Sequence, residues 1–312
     1  MDGFIDFIAL LLGVVSNKGI LYIASGDRYI SQAEKSARRI KSISPGTSIT
    51  LISDAPSPSN VFDSTKQIRN PYYSSRDKIE NIPRTEYDQT IFLDTDTYVA
   101  TEDALPSIFE VLDWFDVAVA SDPYNRGNQF YESDELPSIQ PPHALNWFNT
   151  GVIGFNSNTT VKQAFSYWQE LYAQYSDDQH LPFDQIPFHQ VIYETDVRYG
   201  LLPPEYNFVL KAPQPITEEI RILHAIEDIG NGEELVTRIN AEIANTDRTT
   251  ALPPRWMFSP VHVGDRTELL SYPHHRLQKR IQQLRLSVQQ RGPYATIRSL
   301  IRYARGGNFY SE

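Results

Sequence analysis

Gly19-Ile20-Leu21-Tyr22-Ile23-Ala24-Ser25 is an apolar, β-rich run closed by Gly26-Asp27, the pattern of a buried strand that ends in a loop. Across Tyr29 to Ile43, Ile30, Ala33, Ala37 and Ile40 recur at spacings of three and four, with Arg38, Arg39 and Lys41 toward the end. That periodicity predicts an amphipathic helix whose cations sit where its dipole favours them. Pro45-Gly46 stops the helix, and Ser48 to Ile52 forms a second strand that runs out at Ser53-Asp54. The opening therefore spells β-α-β, which predicts a right-handed crossover and parallel pairing.

The alternation continues outward from this unit. Helices are expected at Arg76 to Ile82, Leu105 to Leu112, Val161 to Tyr175 and Pro187 to Glu194; strands are expected at Thr90 to Leu93, Asp116 to Ala120, Asn149 to Phe155 and Ile220 to Leu223. The fold class is α/β. Pro- and Ser-rich stretches at Ala55 to Asn60 and Ser133 to Pro142 read as surface loops, the second long enough for a lid. No internal repeat is visible.

Composition narrows the chemistry. The 312 residues contain no cysteine, so disulfide scaffolds, thiolate nucleophiles and cysteine-bound metals are excluded, and any metal must be held by oxygen or nitrogen. A net charge of -11 disfavours nucleic acid as a partner. The charge is uneven. Leu269 to Glu312 carries eight cations (Arg276, Lys279, Arg280, Arg285, Arg291, Arg298, Arg302, Arg305) against Glu312 alone, so this tail is +7 and the first 268 residues are -18. Within the tail, Leu277, Ile281, Leu284 and Val288 make one apolar face on a basic helix, which either docks on the acidic body or attaches to an anionic membrane surface. The apolar run Phe4 to Val15 has no cationic segment before it and is too short to span a bilayer; it reads as a buried or capping helix, with a membrane-surface segment as the alternative. The expected location is cytoplasmic, peripheral on the inner face of the membrane if the tail attaches there. The expected organisation is an N-terminal apolar segment (1–18), a catalytic domain (19–268) and a basic helical tail (269–312).

The chemistry concentrates at Ile91-Phe92-Leu93-Asp94-Thr95-Asp96-Thr97. An apolar strand running into Asp-x-Asp sets two carboxylates at the C-terminal edge of a sheet, where open α/β sheets bind ligands. Mg²⁺ or Mn²⁺ shared with a diphosphate would balance them. Haloacid-dehalogenase-like phosphatases use the same letters, but there the motif usually opens the domain and is followed two places later by Thr or Val, where this chain has Tyr98.

Over residues 19 to 230 the chain resembles the glycosyltransferases of the nucleotide-diphospho-sugar transferase (GT-A) fold, nearest to the glycogenin-like family 8. The resemblance rests on Asp94-Thr95-Asp96, on Ser25-Gly26-Asp27-Arg28-Tyr29 after the first strand, on Phe148-Asn149-Thr150-Gly151-Val152, on Asp184-Gln185, and on Tyr206-Asn207 followed by Ile222-Leu223-His224. It implies a mixed sheet flanked by helices and metal-dependent transfer of a sugar from a nucleotide-diphosphate donor, UDP-sugar favoured, with retention of configuration. The acceptor would be a glycan, a lipid-linked group or a protein. It further implies that Asp94, Asp96 and His224 hold the metal, with His262 in reserve. Ala24, Ser25, Asp27, Tyr29, Asp54 and Thr95 would line the nucleotide site, and Tyr29 would stack on the base. Asp184, Gln185 and Asn149 would face the reacting sugar and acceptor. The family's Gly-x-x-Lys-Pro-Trp after the histidine is absent: Ala225-Ile226-Glu227-Asp228-Ile229 stands there, so Arg76 or Lys78 is expected to replace the lysine on the diphosphate. If the enzyme inverts instead, Asp122 or Asp184 would have to act as base. A sugar-nucleotide nucleotidyltransferase and a non-catalytic nucleotide-sugar-binding protein are the alternatives.

Overall fold

The computed structural model describes residues 17–57, 59–123, 145–179, 183–210, 216, 218–226 and 228–245. All fall in the first of the two units into which the chain divides, residues 1–257. The apolar N-terminal run, the expected lid, His262 and the basic tail lie outside the described residues.

The expected opening forms: β1 (Lys18–Ala24), α1 (Asp27–Ile43) and β2 (Ser48–Ser53), with β1 and β2 parallel from Gly19↔Ser48 to Ala24↔Ser53. After β3 (Ser64–Gln67) and the short α2 (Ser75–Asn81) comes β4 (Gln89–Leu93), parallel to β1. A two-residue strand β5 (Tyr98–Val99), α3 (Ala104–Leu112) and β6 (Val117–Ser121) follow. The second half supplies β7 (Phe148–Asn156), α4 (Thr159–Gln179), α5 (Gln185–Glu194), β8 (Tyr199–Leu202), β9 (Phe208–Val209), β10 (Ile222–His224) and α6 (Gly232–Asn245).

Seven strands make one mixed sheet in the order β3-β2-β1-β4-β7-β6-β8, and a small sheet runs β5-β10-β9. The main sheet is parallel except for β7, which is antiparallel to both neighbours. That inversion decides the site. The C-terminal ends of β1, β2 and β4 share one edge, and the reversed β7 brings its N-terminal residues to the same edge, where Asp94 N–H donates to the Gly151 carbonyl at 2.8 Å. β5 leaves the Asp-x-Asp turn and pairs with β10 through Leu223↔Tyr98, which carries His224 back to the acids.

Helices cover both faces, so β1 is apolar after its exposed first residue, Lys18: Ile20, Tyr22 and Ala24 pack in the core with α1 and α3, while Leu21 and Ile23 pack in the core with α2, α4 and α5. In the latter core Trp168 is fully buried, its ring centroid 4.7 Å from that of Phe188, and its Nε1–H donates to the Asp184 carbonyl at 3.0 Å. Trp168→Ala should cost about 3–5 kcal/mol, read as a lower urea midpoint at an unchanged slope.

His189 also belongs to this core. It is 1% exposed, stacks on Trp147 with ring centroids 4.1 Å apart, and its Nδ1 has no hydrogen-bond partner among the described residues. Burial lowers its pKa from 6.5 to about 4. The unfolded chain therefore binds a proton that the folded chain refuses between those values. The associated stability is intact above pH 6.5 and is lost progressively as pH falls toward about 4. His189→Phe, which keeps a ring against Trp147, should flatten this part of the pH–stability curve in urea titrations.

Candidate active site

The site is built on loops at the shared sheet edge. Asp94 and Asp96 follow β4, and their turn is fixed by Thr97, whose N–H and Oγ1–H both donate to the Asp94 carbonyl at 3.2 and 2.8 Å. His224 ends β10, and its Nε2 lies 3.6 Å from Asp94 Oδ2 and 3.4 Å from Asp96 Oδ1. One ligand atom from each of the three residues falls within 4.8 Å of the others. An octahedral cation with bonds of about 2.1 Å separates adjacent ligands by roughly 3 Å, so these side chains need move little to hold one. Two carboxylate oxygens and an imidazole nitrogen are donors that could hold a divalent cation.

Electrostatics point the same way. Burial works against a charge on His224, but hydrogen bonding and attraction from Asp94 and Asp96 overcome it and raise its pKa to about 9. Burial likewise opposes the ionised form of Asp96, yet His224 and Lys78 hold its pKa below the ordinary range. The location favours positive charge. Asp94, Asp96 and Asp184 face one ammonium, that of Lys78, leaving negative charge that a divalent cation would balance.

Lys78 joins the acids from α2. Its Nζ donates to Asp184 Oδ2 at 2.7 Å, to the Thr150 carbonyl at 2.7 Å and to Asp94 Oδ1 at 3.2 Å, and it lies 5.0 Å over the Phe92 ring. Burial disfavours its charge, but Asp184 and Asp94 outweigh that and raise its pKa above the usual lysine value. Asp184 also accepts from Thr150 Oγ1 at 2.7 Å.

A cleft of about 400 Å³ gathers Ala24, Ser25, Tyr29, Lys78, Asp94, Thr95, Asp96 and Asp184, together with Tyr73, Ser74 and Asp77, which the sequence reading did not single out. Other expected residues stand around it. Of the two cations considered for the diphosphate, Lys78 lines the cleft, whereas Arg76 pairs with Glu80 at 2.7 Å and lies over Tyr72. Asp54 accepts from Gly26 N–H at 2.8 Å and fixes the turn before α1. Asp27 is exposed in the first turn of α1, and Gln185 is half-buried as the first residue of α5. Asn149 is 6% exposed, its Oδ1 taking Gly151 N–H at 3.0 Å and Asn207 Nδ2–H at 2.9 Å. Among the described residues no helix is long and apolar enough to cross a membrane.

Residues 84–227 match the model of the nucleotide-diphospho-sugar transferase family. The match spans a little under half of the chain, and the fold is of the GT-A type. In fold the chain is similar to the galactosyltransferase LgtC in complex with donor and acceptor sugar analogues, at a TM-score of 0.51 and 13% identity, covering 73% of this chain and 97% of LgtC. An active-site glutamine-to-glutamate mutant of LgtC matches at the same TM-score and identity, over 73% and 95%. The glycosyltransferase GlyE of Streptococcus pneumoniae TIGR4 matches at a TM-score of 0.47 and 17% identity, over 75% and 62%. No curated protein sequence matches significantly.

Two backbone positions tie the sequence to the site. A Cβ on Gly151 would sit 2.1 Å from His224 Cε1, so only glycine lets the imidazole lie against β7. Gly151→Ala should therefore displace His224 and weaken Mn²⁺ binding by about 10–100-fold, measured by calorimetric titration. Ala225 stands where the family's motif has glycine, and it keeps a left-handed backbone at φ 61. Ala225→Gly should relieve that strain and raise stability by about 1 kcal/mol, read from denaturant unfolding.

Proposed function

We propose that the cleft binds a nucleotide-diphosphate sugar, a UDP-sugar by preference, and transfers the sugar with retention of configuration to a glycan, lipid-linked or protein acceptor. The observation that carries this reading is the convergence of Asp94 and Asp96 from one turn and His224 from a distant strand, beside Lys78 and Tyr29 at one sheet edge. When bound there, Mn²⁺ or Mg²⁺ supplies Lewis-acid stabilisation of the leaving diphosphate.

The protein groups divide the remaining work. Tyr29, 49% exposed on the cleft wall, offers its ring to the base. Ala24, Ser25, Asp27 and Asp54 shape the turn that receives the nucleotide, and Thr95 lines the cleft between the two metal-binding acids. Lys78 offers its ammonium to the diphosphate, replacing the cation that is missing after His224, while Arg76, two residues earlier on α2, is paired with Glu80. Asp184 orients donor hydroxyls from its bond to Lys78, and Gln185 steadies the oxocarbenium-like sugar; an active-site glutamine in LgtC is consistent with this role. Asn149 acts on the sugar side through the strand it fixes, holding Gly151 and thereby His224. The basic tail, residues 269–312, provides attachment to the inner face of an anionic membrane.

Incubation of the purified protein with a panel of nucleotide sugars tests the reading. UDP release should require Mn²⁺ or Mg²⁺, stop on chelation and return on metal addition. Asp96→Ala should lower turnover about a thousandfold, corresponding to about 4 kcal/mol of transition-state stabilisation. Ligand binding that ignores metal, with no turnover in any acceptor mixture, would contradict it.

A further inference from the structure

Tyr73 is an anomaly that the proposed chemistry leaves unused. It is 67% exposed, lines the cleft and has φ 54, a left-handed backbone that a bulky residue adopts at a cost. The conformation is enforced from beneath. The 3% exposed Asp77 accepts from Tyr72 N–H at 2.9 Å with one carboxylate oxygen and from Tyr73 N–H at 2.8 Å with the other. Asn81 Nδ2–H in turn donates to the Asp77 carbonyl at 2.7 Å.

The imposed turn aims the Tyr73 side chain across the cleft mouth. Its ring lies 4.0 Å from the point a Cβ on Gly26 would occupy, and its hydroxyl faces the Asp54 carboxylate that also holds Gly26 N–H. Gly26 caps α1, and its carbonyl accepts from Tyr29 N–H at 3.0 Å. The two exposed tyrosines of the cleft, one from α1 and one from the loop before α2, are thus both anchored at Gly26.

Resting on the glycosyltransferase reading, we infer that Tyr73 is a second aromatic wall of the nucleobase site, acting with Tyr29 to grip the base at the Gly26 end of the cleft. A solvent-exposed ring held in a strained backbone by a buried carboxylate gains nothing for the core. Stacking on a flat heterocycle uses both its position and its rigidity. The role is one of affinity and base selection, with no contact to the reacting atoms.

Calorimetric titration of UDP and, separately, pyrophosphate in the presence of Mn²⁺ separates base contacts from phosphate and metal contacts. Tyr73→Gly should weaken UDP binding about tenfold or more, leave pyrophosphate binding unchanged, and keep or raise the melting temperature because glycine relieves the left-handed strain. Tyr73→Phe, which keeps the ring, should bind UDP within about twofold of the wild type. Wild-type UDP affinity in Tyr73→Gly, or an equal loss of pyrophosphate binding, overturns the inference while leaving the proposed function standing. A wild-type protein that binds pyrophosphate and UDP equally well has no base site, and overturns the inference as well. A wild-type protein that binds neither ligand overturns the proposed function itself.

Discussion

Asp94, Asp96 and His224 stand within bonding range of a common point at the end of a buried strand, and such an arrangement persists only if positive charge is held among them. In the absence of a metal, a proton on His224 and the ammonium of Lys78 serve that purpose. The rest of the architecture makes the grouping unavoidable. The reversal of β7 sets a glycine under the imidazole, and the small sheet returns the chain from the Asp-x-Asp turn to its histidine; the Ile226 N–H to Asp96 carbonyl bond, at 3.2 Å, fastens the two loops together.

Under the proposed function, Lys78 would take the part of the lysine that the family motif has after the histidine. The cation comes from the other side of the cleft, from α2, and is ordered by carboxylates on two different elements and by a strand carbonyl. Its position between Asp94 and Asp184 couples the two carboxylates: a shift in either is felt by the other through the same ammonium. Beyond the histidine, Ala225 holds a left-handed backbone without the glycine that such a conformation favours.

The strands and helices with strong periodicity were legible in the sequence, and so was the acid pair, because an apolar run ending in Asp-x-Asp has few structural explanations. His224 was singled out by the resemblance to the family, and His189 proves to be a core residue stacked on Trp147. The direction of β7 was not legible from its residues: a strand buried on both faces reads as a continuous apolar run whichever way it points. β3, with the sequence Ser-Thr-Lys-Gln, is a polar edge strand created by pairing with β2, and β5 and β9 are two residues long; none has a pattern of its own. α6 carries an apolar face of Val236 and Ile239 that the reading passed over beside the more conspicuous basic tail. Tyr73 was hidden because exposed tyrosine is unremarkable in a sequence, and its significance lies in a backbone angle and a buried carboxylate four residues away.

The most direct measurement of the central claim is anomalous scattering at the manganese edge from crystals soaked with Mn²⁺ and UDP. The account predicts one dominant peak bounded by the carboxylates of Asp94 and Asp96 and by Nε2 of His224, with diphosphate oxygens completing its coordination and the base at the Tyr29 end of the cleft. A peak at another place, or an imidazole turned away from the ion, would contradict it.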